Sequence, residues 1–123
     1  MRIATATAIA AVAAVIVNVL LRALAVAAFD IPQPEFEPLN LRPVIISTLG
    51  GVIAAGLVYA LIAQITRAPG RPFLIVAAAA LLLSLIAPLT IDDPNADAEA
   101  VGTLVAMHVL AAAISVPILI RRA

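Results

Sequence analysis

Four polar side chains within long apolar stretches have residue types that could support chemistry: Asn18, Arg22, Ser84 and His108. Asn18 and Arg22 lie four residues apart, which places them on one face of a helix. An amide, a permanent cation and an imidazole offer hydrogen-bond donors, and no carboxylate lies among them. Together with the Ser84 hydroxyl, these residues predict a pocket for an anion or another polar ligand.

Each of these side chains also has a structural interpretation. The long stem of Arg22 can carry its guanidinium to the lipid headgroups or towards Asp30, or the group can bind a helix end or the first loop. Asn18 and His108 are residue types that more often bond a neighbouring helix than a ligand. The sequence leaves these alternatives open.

The sequence predicts a protein that is not an enzyme and that holds no metal and no cofactor. It contains one histidine and no cysteine, and the HExxH, GxSxG and phosphate-binding glycine patterns are missing. Asp92 to Glu99 is acidic but lacks the spacing of a calcium-binding loop. An enzyme using His108 as general base would need a nucleophile, for which Ser84 and Thr103 are the nearby hydroxyls.

Composition points to the elements that must position these residues. Apolar residues make up 65% of the chain and charged residues 11%, against about 45–50% and about 25% in soluble domains. The formal net charge is zero, so no overall positive charge favours nucleic acid. We therefore expect a membrane protein that contacts the lipid bilayer and does not bind nucleic acid.

Four apolar windows without acidic residues are long enough to cross a bilayer core about 30 Å thick. They span residues 3–28, 43–66, 72–91 and 100–120, and the segments between them carry prolines and charges. These windows predict a single all-α domain, a four-transmembrane-helix bundle with up-down-up-down topology. At 1.5 Å per residue, Arg22 lies about 9 Å and His108 about 12 Å below the same boundary.

The distribution of charge predicts the orientation of this bundle. One side carries only arginines, whereas the other carries all the carboxylates. Short loops rich in arginine stay in the cytoplasm, so both termini should be cytoplasmic and the polar residues should lie in the outer half. The arginine side consists of Arg2, Arg67, Arg71, Arg121 and Arg122. Arginine without lysine is typical of a GC-rich genome, which favours a prokaryotic plasma membrane.

The first window also has features of a secretory signal peptide, with Arg2 at its start and small residues near its end. A signal peptide has an apolar region of about 7–15 residues. This stretch is longer and is interrupted by Asn18 and Arg22. We therefore expect it to be a membrane helix.

Small residues at four-residue spacing predict close packing between the helices, because they let backbones approach in lipid. Ser47, Gly51 and Ala55 form one row, and Gly56 and Ala60 form a second on the same window. Similar rows occur on the third and fourth windows, at Ala80, Ser84 and Pro88 and at Ala111 and Ser115.

Several short motifs distributed over nearly the whole chain resemble those of a known family. They are Asn18-Val19-Leu20-Leu21-Arg22, Thr48-Leu49-Gly50-Gly51, Leu83-Ser84-Leu85 with Pro88-Leu89, Met107-His108-Val109-Leu110, and Val116-Pro117 with Arg121-Arg122. The chain is similar to small four-helix integral membrane proteins of unknown function from actinobacteria and haloarchaea. The resemblance implies the fold and leaves the function open.

Two function classes remain after these exclusions. Nearly all residues are needed to span and pack, which favours a non-enzymatic membrane component that binds a lipid or a membrane protein partner, or serves as an accessory subunit. The alternative is a small homo-oligomeric transporter or channel with a polar site in the outer half of the bundle.

Overall fold

The computed structural model describes residues 2–123, which form an all-α bundle of four long apolar helices. The predicted fold class is confirmed. Both ends of each predicted window lie within two residues of the ends of an observed span. A single 3₁₀ turn, Glu37–Leu39, interrupts the first loop. The helices are α1 (Arg2–Phe29), α2 (Leu41–Ile65), α3 (Gly70–Ser84), the short α4 (Ile86–Leu89) and α5 (Ala98–Arg122).

Proline chemistry explains why the third span consists of two helices. The break follows Ser84, and the backbone N–H of Leu85 donates to the carbonyls of Leu81 and Leu82. In a continuous helix the Ser84 carbonyl would accept a hydrogen bond from residue 88. That residue is Pro88, which has no N–H. The α3–α4 span from Gly70 to Leu89 nevertheless has the length and apolarity of a membrane helix.

The last helix begins two residues before its predicted window because an aspartate caps it. The Asp97 carboxylate accepts a hydrogen bond of 2.8 Å from the backbone N–H of Ala100. Such a cap satisfies one of the free N–H groups at a helix start, and a negative charge is favourable there. Arg121 and Arg122 occupy the last turn, where a positive charge is favourable.

Helix α1 is the centre of the bundle, because it contacts α2 and α5 far more extensively than α3 contacts either. Buried side chains form three clusters along its length, and each cluster includes at least one alanine of α1. The cluster at the first and third loops is the largest. It contains Ala25, Ile31, Phe36, Leu39, Val44, Ala100, Leu104 and Met107.

The closest approach between α1 and α2 occurs at Gly56. A Cβ built on this glycine would collide with the side chain of Thr7 on α1. Thr7 is itself held by a hydrogen bond of 2.7 Å to the Ile3 carbonyl. Only a glycine therefore fits at position 56 with α1 in this place.

The α3–α4 span, in contrast, packs against the bundle mainly near its two ends. At one end Phe73 is buried and packs edge to face on Tyr59 of α2, with ring centroids 5.1 Å apart. At the other end Pro88 of α4 is buried. Between these two points the helix contributes no buried residue, and an open space separates it from α2 and α5.

Candidate binding cavity

A cavity of about 710 Å³ lies between α2, the α3–α4 span and α5. Its volume is within the range of about 300–1,000 Å³ typical of small-molecule sites. The wall is predominantly apolar, and small residues from three helices contribute to it. The small residues are Gly51, Ala54 and Ala55 from α2, Ala77, Ala80 and Ala87 from α3 and α4, and Ala111 and Ala112 from α5.

The cavity overlaps the rows of small residues that predicted close helix packing. Gly51 and Ala55 belong to such a row, yet a Cβ built on Gly51 would meet no atom within 4 Å. Ala80 and Ser84 on the facing span also line the space. At this level the small residues therefore border an opening, whereas those around Gly56 bring α1 and α2 together.

Asn18 carries the most deeply buried polar side chain of the cavity wall. It is 2% exposed, and its Nδ2 donates to Thr48 Oγ1 at 3.0 Å and to the Met107 carbonyl at 3.4 Å. These bonds join α1 to α2 and α5. The Oδ1 atom of the same amide is buried without a hydrogen-bond partner among residues 2–123. A buried amide oxygen without a partner costs about 1–3 kcal/mol.

His108 lines the same cavity from α5. Its Nδ1 lies 2.6 Å from the Leu104 carbonyl of its own helix. A carbonyl oxygen can only accept, so Nδ1 carries the proton of this bond. In the neutral imidazole, Nε2 then presents a lone pair, and none of the hydrogen bonds of the described chain involves it.

Three of the four hydroxyl groups of the wall bond to their own helices. Ser84 Oγ donates to Leu81 O, Ser115 Oγ donates to Ala111 O and Thr48 Oγ1 donates to Val44 O, each at 2.7 Å. The protons of these three hydroxyl groups are therefore in use. The oxygen lone pairs of Ser84 and Ser115 remain as acceptors towards the cavity.

Arg22 lies outside the cavity and binds the first loop. Its Nε donates to the Leu39 carbonyl at 2.7 Å, and its Nη2 lies 3.5 Å from Gln33 Oε1. The Leu39 carbonyl precedes α2, where an α-helical bond would come from residue 43. Residue 43 is Pro43, which has no N–H. Arg22 therefore satisfies a carbonyl that the helix cannot satisfy, which is one of the structural roles considered from the sequence.

The structure thus brings together three of the four predicted site residues, Asn18, Ser84 and His108. The guanidinium of Arg22 is directed to the loop, and the protons of Asn18 Nδ2 and His108 Nδ1 are bonded within the protein. The geometry therefore leaves an anion without the donors that the sequence analysis assigned to it. The spacing of Asn18 and Arg22 on one helix face did not reveal that only one of them reaches the cavity.

Sequence reasoning did not select Thr48 and Gly51 as site residues, although both line the cavity. Thr48 has no distinctive signal, because one hydroxyl in an apolar helix usually bonds its own backbone. Gly51 belonged to a small-residue row that was interpreted as a packing surface. Only the position of α3 shows that this glycine faces an open space.

The fold and the cavity define a class of protein: an all-α bundle whose four long helices are each apolar enough to cross a membrane. More particularly, the chain belongs to a family of unknown function, DUF6069, whose model matches residues 1–123. This match confirms the resemblance at the level of the family, and its taxonomic range stays a prediction. No curated protein and no solved structure matches the chain.

Proposed function

We propose that this protein is a non-enzymatic membrane component that binds an apolar molecule in the cavity between α2, α3 and α5. The observation that carries the proposal is the cavity itself. About 710 Å³ of space remains beside a helix that is attached near its ends, and small apolar residues line most of it. An apolar space of this size attracts an apolar guest, because filling it removes apolar surface from water or replaces loosely packed solvent.

The proposed guest enters from the side of the bundle. Several lining residues are also exposed on the bundle surface, including Ala54 of α2, Val76 and Ala80 of α3, and Ala87 of α4. All of them lie within the candidate membrane spans. Their surroundings in a bilayer are acyl chains, so a membrane-dissolved molecule reaches the cavity without crossing water.

A non-enzymatic role is supported by the hydrogen bonds of the nominated catalytic groups. His108 Nδ1 and Ser84 Oγ each bond a carbonyl of their own helix. Thr103 Oγ1 bonds the Glu99 carbonyl at 2.8 Å. A hydrolase of this type needs the hydroxyl to be hydrogen-bonded to the base. Turnover of an apolar ester by the purified protein, abolished in His108→Ala, would contradict this part of the proposal.

We place the protein in a prokaryotic plasma membrane with both termini in the cytoplasm and the first and third loops outside. The support is the separation of arginines from carboxylates. The chain has no native cysteine, so Glu37→Cys, Asn95→Cys and Pro69→Cys provide single labelling sites. An impermeant thiol reagent added to intact cells should modify the first two and spare the third, and the reverse pattern would invert the orientation.

The binding proposal is tested with a long-chain alkyl diazirine that has no hydroxyl group. After irradiation in detergent, labelled peptides should come mainly from the cavity-facing parts of α2, α3 and α5. Gly51→Leu should lower this labelling at least several-fold, because the new side chain occupies the cavity. Gly50→Leu is the matched control, since its Cβ also meets open space but residue 50 does not line the cavity.

The two variants separate specific binding from general contact with detergent or lipid. Equal labelling of the cavity peptides in Gly51→Leu and Gly50→Leu would contradict the proposal. So would labelling spread evenly over the outer faces of all four spans. A homo-oligomeric transporter or channel instead requires a polar pathway and a detergent-corrected mass above that of one chain.

A further inference from the structure

We infer that the guest carries a hydrogen-bond donor at its polar end, and that its class is an apolar alcohol or phenol. This inference rests on the proposed binding function and deepens it. The polar atoms of the cavity wall that still lack a partner define the guest, because each of them can either donate or accept.

Asn18 supplies the first free acceptor. The Met107 carbonyl only accepts, and the Thr48 hydroxyl already donates its proton to Val44 O. Both neighbours therefore require the NH₂ end of the amide, which fixes its orientation. The remaining atom, Oδ1, is the buried oxygen without a partner in the described chain. Only a donor on a guest or on water can satisfy it.

His108 supplies the second free acceptor. Because Nδ1–H is bonded to the Leu104 carbonyl, the neutral ring offers Nε2 as a lone pair. Asn18 and His108 reach the cavity wall from different helices, α1 and α5. A molecule with an apolar body and a hydroxyl end has one proton to donate, and either acceptor on this mostly apolar wall can accept it.

The serines of the wall fit the same class of guest. Ser84 and Ser115 have used their protons and offer lone pairs. Ser47 lines the cavity with no hydrogen bond among residues 2–123, so its proton is free for an acceptor. A guest hydroxyl can donate to Asn18 or His108 and accept from Ser47. A ketone, an ether or a carboxylate only accepts and can satisfy neither Asn18 Oδ1 nor His108 Nε2.

The experiment uses the full-length protein labelled with ¹⁵N in its histidine, which is the only one in the chain. The probes are 1-dodecanol and its methyl ether, compared at equal mole fraction in the detergent micelle. Dodecanol should move the Nε2 resonance towards the position of a hydrogen-bonded nitrogen, and the ether should not. Dodecanol should also bind roughly tenfold more tightly than the ether, as expected for one additional hydrogen bond of about 1.4 kcal/mol.

Three variants identify the source of that difference. Asn18→Leu leaves His108 Nε2 as the one free acceptor of the pair, so the shift of this nitrogen with dodecanol should be at least as large as in the wild type. Gly51→Leu should remove the response to dodecanol, and Gly50→Leu should keep it. Equal binding of alcohol and ether that is lost in Gly51→Leu would overturn the donor inference and leave the binding function intact. Binding that is the same in all variants would overturn both.

The ¹⁵N spectrum of His108 in the guest-free protein also tests which ring nitrogen carries the proton. A ring with two protonated nitrogens in the guest-free protein would overturn the assignment of Nε2 as an acceptor. Mass spectrometry of co-purified molecules distinguishes the source of the guest. A hydroxyl lipid retained by the wild type and Gly50→Leu but absent from Gly51→Leu indicates a membrane lipid. A response obtained only after dodecanol is added indicates a diffusible apolar alcohol.

Discussion

Helices α1 and α3 have nearly the same hydropathy but very different environments. The most apolar window of each span has a mean hydropathy of 2.5 and 2.4, yet 28% of the α1 window is buried against 11% of the α3–α4 window. Apolar composition therefore makes both helices candidates to cross a membrane and does not determine how they pack. Packing in lipid depends on which small residues face each other.

Two glycines of α2 show this difference within five residues of one helix. Gly56 faces Thr7 of α1 so closely that a Cβ would collide, whereas a Cβ on Gly51 would meet open space. The α1 side of the bundle is closed, and the α3 side is open. Segments with few buried contacts open at low free energy, so α3 is the helix that can adjust to a guest.

The largest expected effect on stability comes from introducing a side chain at the tight contact between α1 and α2. Gly56→Leu forces α1 and α2 apart and should lower the free energy of unfolding by about 3 kcal/mol or more, at the upper end of overpacking costs. Gly50→Leu, on the same helix with open space around its Cβ, should be close to wild type. Thermal unfolding in detergent, followed by circular dichroism, measures both.

A double-mutant cycle keeps this test informative if Gly56→Leu does not fold. Gly56→Ala should be destabilised, and Thr7→Ala should recover part of that loss because it removes the Oγ1 and Cγ2 atoms of Thr7, the two that the new Cβ approaches most closely. Additive effects of the two substitutions would mean that α1 and α2 do not approach each other as described.

The next largest effect on stability is expected at the first loop, which connects α1 to α2. Arg22→Met removes the charged donor from the Leu39 carbonyl and should cost about 1.5–3 kcal/mol. Phe36 is a fully buried residue of this loop, so chymotrypsin should cleave there faster in the variant. Arg42→Met is the control, because Arg42 is exposed at the start of α2. Unchanged cleavage in Arg22→Met would show that Arg22 does not hold the loop.

Much of the helical framework could be predicted from the sequence, because hydropathy, proline and charge act locally. The spans, the acidic cap at Asp97 and a bend near Pro88 all follow from such local rules. The role of Arg22 was one of several alternatives, since choosing among them requires knowing that Leu39 O faces α1.

The open side could not be predicted, because it depends on the distance between helices. The row containing Gly51 and the row containing Gly56 look alike in sequence, and each permits close approach. Which row makes a contact depends on the residues of a different helix. The sequence predicted that the polar residues lie in the outer half of the bundle, and only the packing shows that Asn18, Ser84 and His108 share a cavity while Arg22 does not.

A smaller effect on stability is expected at Asn18, which α1 contributes to the cavity wall. Asn18→Leu removes two hydrogen bonds between helices, but Thr48 keeps its bond to Val44 O. Such bonds average about 0.6 kcal/mol each in membrane bundles. The substitution also removes an unsatisfied Oδ1. We therefore expect a loss below about 1 kcal/mol, measured beside Thr48→Val, and a loss as large as that of Arg22→Met would make Asn18 a principal structural residue.

The smallest effect, and the one of opposite sign, is expected on the open side. Gly51→Leu and Gly50→Leu each replace a glycine within a helix, which should raise the free energy of unfolding by less than about 1 kcal/mol. Gly51→Leu adds contacts across the cavity to α3, so hydrogen exchange of α3 should slow in this variant and not in Gly50→Leu. A loss of stability comparable to that of Gly56→Leu would mean that the space beside Gly51 is closed. Slower exchange together with weaker guest binding would show that a side chain and a guest compete for the same space.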